Sequence, residues 1–369
     1  MAQPEKTLTL LVPGLLGSEN LQEYLQTGIE INAPALELLL SRSDRQTEAV
    51  LDLETLLFSL FGVLVDDKHD LPIAPITCAL DNGNAAQGYW LRADPVTMEA
   101  GHDAVVIVDH AGFKISSEEA QQLTEEINHH FAQDRAQAHW QLIALTPNRW
   151  YLRLPHKPDI RTYPLSVVQG RPINQCLPFG QQAKIWHTWL TEMQMLLHNS
   201  PVNQTREMRG ELPINSLWIW GGGTLPEVPA NTWAQLWSNE PLSLGLAKLS
   251  KTPRVKTPAN GKQWLETAIT PGNHLVVIDQ GQRVGAGEEI SGQDISTWQE
   301  FVQAMEAQWI VPLLDALKTK QLSSFILHPL NGSRFECTPQ QVKRWWKRRR
   351  PIQKFLSGQQ TVSNKGRNA

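Results

Sequence analysis

The residues that could do chemistry begin with "SLWIWGGGTLP", Ser216 to Pro226. A glycine run lets successive backbone N–H groups turn toward a phosphate, usually at the start of a helix. Here the next helix-like segment, "NTWAQLW", starts only near Asn231, behind Pro226 and Pro229, and no Gly-Lys-Ser/Thr of a Walker loop is present. Two readings remain for Gly221, Gly222 and Gly223. One is a strand end at the C-terminal edge of a parallel sheet, where α/β folds place their clefts. The other is close packing beneath Trp218 and Trp220.

A nucleophile is the second candidate. "LVPGLLGS" has the strand-plus-glycine form of a loop that lends an N–H to an oxyanion hole, and Ser243 in "PLSLG" is the nearest approach to a nucleophile elbow. Pro241 replaces the first glycine of that elbow, and no Asp…His sequel follows. Metal ligands are the third. His129 and His130 are adjacent on a helical segment, about 100° apart, so they cannot chelate one ion. His69-Asp70 and His102-Asp103 read as surface loops, and His187, His198 and His328 stand alone. Cys78, Cys176 and Cys337 form no CxxC and read as reduced thiols with packing roles in a cytoplasmic protein.

The fourth candidate is "QQVKRWWKRRRPIQKF". Nine of the chain's 33 lysines and arginines, and none of its 37 acids, fall in residues 338–369. The remaining body therefore carries −13 of a net −4 chain. Lys343, Arg344, Lys347, Arg348, Arg349 and Arg350 interleave with Trp345 and Trp346. Such a pattern suits nucleic acid or an anionic membrane surface. It equally suits indoles that pack on the body while the cations meet its acids.

The elements that must position these groups follow from periodicity. "KTLTLLV" reads as a buried strand, "NAPALELLLSRS" as a helix capped by Asn32, and "DLETLLFSLFG" as a second helix. "HDLPIAPIT" reads as broken by proline. "QGYWLRADPV" and "DAVVIVD" read as strands, "SSEEAQQLTEEINHHF" as a helix with a capping box, and "AHWQLIALT" with "NRWYLRL" as a hairpin. In "QQAKIWHTWLTEMQMLLHN" the helical face is Ile185, Trp189, Met193, Leu196 and Leu197. "HLVVID" and a final "SSFILH" are strands around "ISTWQEFVQAMEAQWIVPLLDALK", helical with a break near Pro312. Alternating strands and helices predict an α/β fold with a mostly parallel sheet covered by helices. A 41% hydrophobic and 19% charged composition fits a globular chain, and no apolar run reaches the ~18–20 residues of a membrane span.

From Tyr89 to Pro226 the chain resembles the archaeal-type cofactor-independent phosphoglycerate mutases of the alkaline-phosphatase superfamily. "HNSPVNQTREMRGELPINSLWIWGGG" is similar to that family's H-P-V-N-x-x-R-x-x-x-G-x-x-x-A-N-x-I-W-x-W-G-Q-G segment, with Pro201, Val202, Asn203, Arg206, Gly210, Asn215, Trp218, Trp220, Gly221 and Gly223 in step. Gly222 stands where the family has glutamine. Upstream, Arg92, Asp109 and Lys114 match in position or charge. The "LLVPGLLG" opening, the "LPINSLWIWGGG" block and the Trp/Arg-rich end resemble more closely the RpfE-type regulatory proteins.

The resemblance implies an alkaline-phosphatase-like α/β domain over 1–88 and 185–337, a smaller α+β insertion over 89–184, and a basic tail over 338–369. It also implies a two-metal centre with ions about 3.5–4 Å apart and a serine that takes up phosphate. Here the first strand ends in Pro13-Gly14 instead of Asp-Gly. Leu53 and Glu54 stand where the serine and its neighbouring ligand belong, and Asp279 and His328 are what remains of the late ligands. The expectation is a catalytically degenerate protein with no cofactor. Arg92, Lys114, Asn203, Arg206, Asn215, Trp220, Gly221, Gly222 and Gly223 would hold a small anionic ligand or a protein partner. The alternatives are an active Mn- or Zn-dependent mutase or phosphatase with displaced ligands, and a nucleic-acid- or membrane-associated factor acting through Arg344 to Arg350.

Overall fold

The computed structural model describes residues 5–17, 31–49, 51–66, 69–82, 85, 87–101, 104–108, 114–134, 137, 139–168, 171–230, 233–279 and 292–356. His102, Asp103 and Asp109, singled out above, lie outside the described residues. The chain divides into two compact units, one running to Leu57 and resuming at Ala230, the other spanning Phe58–Pro229. The 89–184 segment lies inside the second unit, and 185–337 is shared between the two.

The first unit opens with β1 (Lys6–Leu11), α1 (Pro34–Arg42), β2 (Asp44–Thr47) and the start of α2 (Leu53–Leu60). Asn32 does not cap α1. The cap position is Ala33, which offers no side-chain acceptor, and the open amides of Ala35 and Leu36 donate instead to Glu306 Oε1 and Oε2, each at 2.7 Å. A carboxylate at a helix N-terminus answers both the unpaired N–H groups and the helix dipole.

The second unit begins with α3 (Ile73–Asn82), a helix where the prolines predicted a break. Pro75 sits in the first turn, where its missing N–H costs no intrahelical bond. Then come β3 (Tyr89–Val96), β4 (Met98–Ala100), β5 (Val105–Ile107), α4 (Ser117–Gln133), β6 (Gln141–Thr146) and β7 (Arg149–Leu154). The unit closes with α5 (Leu165–Val168), α6 (Ala183–His198), α7 (Pro201–Met208) and β8 (Ser216–Gly223). Its main sheet is antiparallel, in the order β6-β7-β3-β8, with β4 and β5 forming a separate pair. "SLWIWGGG" is thus an antiparallel strand beside β3 and not part of a parallel sheet. One face carries Leu91, Leu152, Leu217 and Ile219 into a core with α4 and α6. The buried face of α6 is Trp186, Trp189, Leu190, Met193 and Leu197, whereas Ile185 is exposed.

The first unit resumes with β9 (Trp233–Trp237), a strand where "NTWAQLW" suggested a helix, and α8 (Pro241–Leu249). It continues through β10 (Arg254–Val255), α9 (Gly261–Thr267), β11 (Gly272–Val277), α10 (Gly292–Met305) and α11 (Val311–Lys318). A π-helical turn, Glu306–Ile310, joins the last two helices and aims Glu306 at α1. β12 (Ser324–His328), β13 (Ser333–Cys337) and α12 (Pro339–Val342) complete it, so "SSFILH" is not the final strand. The sheet order is β10-β9-β11-β1-β12-β13-β2, parallel from β10 through β12 and antiparallel at the β13-β2 edge. Successive residues Leu8 to Leu11 of β1 are all buried, as a central parallel strand covered on both faces requires. No helix among the described residues is long and apolar enough to cross a membrane.

Candidate functional site

In the first unit, the C-terminal ends of β1, β11 and β12 are the place where a parallel sheet offers a cleft. Val12 N–H donates to His328 O at 2.9 Å and Ile278 N–H to Leu11 O at 3.0 Å, which ties the three strand ends together. The loop after β1 then turns inward. Leu15 and Leu16 are fully buried, and Trp298 Nε1 donates to Gly14 O at 3.0 Å. Pro13, where the resemblance calls for an acidic ligand, is therefore followed at once by a loop buried in hydrocarbon and held by one indole.

The remaining groups there are no better suited to a metal. Leu53 and Glu54 are buried in the first turn of α2. Burial, with the Arg334 charge beside it, pushes the His328 imidazole down to about 4. At neutral pH its contact with Glu48, 3.6 Å away, is thus not an ion pair. Ser243 is buried on α8, its hydroxyl donating to Glu240 O at 2.8 Å and lying 2.7 Å from Ser238 Oγ, so it is not the nucleophile of an elbow. No three His, Cys, Asp or Glu side chains converge as metal ligands among the described residues. The donor set that the described residues offer does not fit a two-metal centre.

In the second unit the nine residues expected to bind a ligand fall into separate groups. Arg92 on β3 lies two residues from Asp94, on the same face of the strand by the period-2 rule. Its Nε and Nη2 donate to Asp94 Oδ1 at 3.0 and 2.7 Å, while Trp220 Nε1 donates to Asp94 Oδ2 at 2.8 Å. The guanidinium also stacks over Trp220 and Tyr151, 5.2 and 5.4 Å from the ring centroids. Beside it, Asp81 of α3 accepts from Tyr151 Oη at 2.6 Å and from Arg149 Nε and Nη2 at 2.9 and 2.6 Å. Burial alone would raise the Asp81 carboxyl, but Arg149 and Tyr151 together hold it below the usual range. Burial and the Asp81 charge push the nearby Cys78 thiol up to about 11, which leaves it protonated and inert. Sequence reading missed Asp81, Asp94, Arg149 and Tyr151; the Arg-x-Asp spacing on an otherwise buried strand was the available signal.

Asn203, Arg206 and Lys114 form the second group. Asn203 Nδ2 donates to Leu197 O and Ile214 O at 2.7 and 2.8 Å, and its Oδ1 accepts from Ile214 N–H at 2.8 Å. Arg206 is 1% exposed; it donates to Leu212 O, to Lys114 O and to Glu119 at 2.8, 3.0 and 2.9 Å. Lys114 thus contributes its carbonyl to this group. Asn215, next in the chain to Ile214, bonds elsewhere, with Oδ1 accepting from Met98 N–H and Nδ2 donating to Met98 O, both at 2.8 Å. These three motif side chains close loops of their own unit. Burial would raise Glu119, yet the Ser116 amide, Arg209 and Arg206 hold its carboxyl low.

The glycines answer the packing question. A Cβ at Gly222 would lie 2.6 Å from Tyr89 Oη and 2.7 Å from Leu91 Cδ2, and one at Gly223 would lie 2.5 Å from Pro72 Cβ. The Gly222 amide does face an anion, but the anion is internal: it donates to Asp70, which also accepts from Thr162 N–H at 3.0 Å. Burial raises the Asp70 carboxyl above its usual range despite these bonds. His69-Asp70 is therefore no surface loop at its second residue. A separate, mostly apolar groove of about 580 Å³ is lined by Trp140, Trp186, Trp189, Lys157, Lys184 and Glu192; none of the nine residues borders it.

Within the tail, residues 338–356 pack on the rest of the first unit. Arg344 and Lys347 reach Asp44, Arg349 Nε lies 3.4 Å from Glu37, and Ile352, Phe355 and Leu356 are buried in the core. Three of the cations thus meet the body's acids, as one sequence reading held for all of them. The indoles do not pack: Trp345 and Trp346 are 80% and 63% exposed.

A profile described as 2,3-bisphosphoglycerate-independent phosphoglycerate mutase matches residues 84–203. The chain is 28% identical over 171 residues to the protein of that name from Methanosarcina barkeri, covering 45% of this chain and 39% of that one. It is 37% identical over 62 residues to the namesake from Methanothrix thermoacetophila, covering 17% and 16%. The matched stretches thus span less than half the length of these curated relatives. Among solved structures, the PH0037 protein from Pyrococcus horikoshii has a similar fold, with a TM-score of 0.54 at 15% identity, covering 91% of this chain and 88% of that one. The chain is a mixed α/β protein with a mostly parallel central sheet that resembles, at low identity, the archaeal-type cofactor-independent phosphoglycerate mutases.

Proposed function

We propose that this chain is a catalytically degenerate relative of those mutases, a regulatory or binding protein of the RpfE type that works in the cytoplasm without a cofactor. One observation carries the reading. The loop after β1 is packed with Leu15 and Leu16 and pinned through Gly14 by Trp298, where phosphoryl transfer on this fold would call for a charged ligand. Phosphoryl transfer needs charged groups or metal ions held against the transferring oxygens, and the described part of that edge presents buried apolar side chains instead. The mutase-like segment is kept for what it does inside its own unit, through Asn203, Arg206 and Asn215.

If the protein retains an anionic ligand, Arg92 is the residue of the nine that supports it best. Only its Nε and Nη2 have hydrogen-bond partners among the described residues, which leaves Nη1 available. The test is turnover: the purified chain with Mn²⁺ or Zn²⁺ should convert neither 3-phosphoglycerate nor a generic phosphate ester. EDTA-sensitive turnover, or near-stoichiometric metal in the purified protein, would establish the alternative of an active mutase or phosphatase with displaced ligands. Calorimetry with phosphoglycerates tests the ligand separately, and absence of heat at millimolar concentration would leave a protein partner as the occupant.

A further inference from the structure

We propose that the turn carrying Trp345 and Trp346 is a docking surface for an anionic lipid bilayer. Large apolar side chains are normally the first to be buried, yet these two adjacent indoles are 80% and 63% exposed on a segment that is otherwise tied down. The tie is specific. Gln341 and Arg344 bond to Asp44, the Arg350 amide donates to Ser41 Oγ at 2.9 Å, and the Ile352 amide donates to Glu37 Oε1 at 3.0 Å. Burial of Ile352 and Phe355 anchors the far end. The turn is therefore held out by the fold and is not a loose end.

Charge sets the class of partner. The six cations from Lys343 to Arg350 face two carboxylates, Asp44 and Glu37, which pair with Arg344, Lys347 and Arg349. Lys343, Arg348 and Arg350 are exposed and have no carboxylate partner among the described residues. Indoles favour the headgroup layer of a bilayer, and unpaired cations beside them find anionic lipid. Ring geometry separates this from single-stranded nucleic acid. The two indole planes stand at 86° with centroids 6.1 Å apart, so as placed they do not offer parallel platforms to consecutive stacked bases. Insertion into a headgroup layer makes no demand on that angle.

The test is flotation of the full-length chain with vesicles of phosphatidylcholine alone and of phosphatidylcholine with phosphatidylserine. The chain should float only with phosphatidylserine, and less so as salt is raised. Trp345→Ser/Trp346→Ser should lower the bound fraction more than about tenfold. Lys343→Gln/Arg348→Gln/Arg350→Gln should lower it by more than about tenfold and flatten the salt dependence. All five positions are exposed, so unchanged thermal unfolding will show that each variant is folded. No flotation of the unaltered chain at low salt, equal flotation with both vesicle types, or undiminished binding by the double Trp variant would overturn the proposal. So would Trp-dependent retardation of a single-stranded oligonucleotide by a chain that ignores vesicles.

Discussion

Asn203 treats Ile214 as a neighbouring strand would: its Oδ1 accepts the Ile214 N–H and its Nδ2 donates to the Ile214 carbonyl, both at 2.8 Å. A side chain thereby completes the backbone pairing of the segment that leads into β8. Asn203→Ala takes the side-chain partner from the buried N–H and carbonyl of Ile214, while the Leu197 carbonyl keeps the Ser200 N–H, and should cost about 2–4 kcal/mol. Urea denaturation measures it. A loss under about 0.5 kcal/mol would release Asn203 from this structural role and return it to the ligand-binding reading.

The glycine run should behave as packing and not as a ligand loop. Gly222→Ala forces a methyl against Tyr89 and Leu91 and should destabilise by about 2 kcal/mol or more. Gly210→Ala meets nothing within 4 Å and carries only the cost of φ +70°, about 1 kcal/mol. Parallel thermal melts of the two variants decide the order; equal losses would mean that contact distances at Gly222 do not govern its cost.

His328 makes the first unit sensitive to mild acid. Its folded value, about 4, lies below the ordinary 6.5, so the unfolded chain binds the proton more readily between those limits. Stability is complete above about pH 6.5 and is lost as pH falls, by about 2 kcal/mol at pH 5. His328→Asn should remove this component of the pH profile while His274, which burial also lowers, keeps its own. Identical slopes for the variant and the unaltered chain over that window would contradict the assignment.

The end of the tail should matter to the fold, and its tryptophans should not. Phe355→Ala removes a buried ring and should cost about 3 kcal/mol. Trp345→Ser should stay within about 0.5 kcal/mol. Calorimetric unfolding of both separates anchor from exposed turn. For the same reason, deleting 338–369 is a poor test of binding, because it strips Ile352, Phe355 and Leu356 from the core.

The residues themselves determined the alternating α/β pattern, the buried β1, the capping box of α4 and the β6-β7 hairpin. These follow from local periodicity and turn chemistry, which act over a few residues. The spacing of Asn203, Arg206 and Asn215 pointed to a mutase-like segment, and the Pro13-Gly14 turn to a missing ligand. What these side chains do was decided only in three dimensions. Their partners include backbone groups of Ile214, Lys114 and Met98, which lie between 11 and 117 residues away. The same holds for Glu306, which caps α1 across 270 residues, and for Asp70, which fills the anion place before Gly222. Composition counted the tail's cations but could not say which would find a carboxylate. Tertiary structure gave Asp44 and Glu37 to Arg344, Lys347 and Arg349 and left two indoles in solvent, because pairing and burial depend on what the fold brings within a few ångströms.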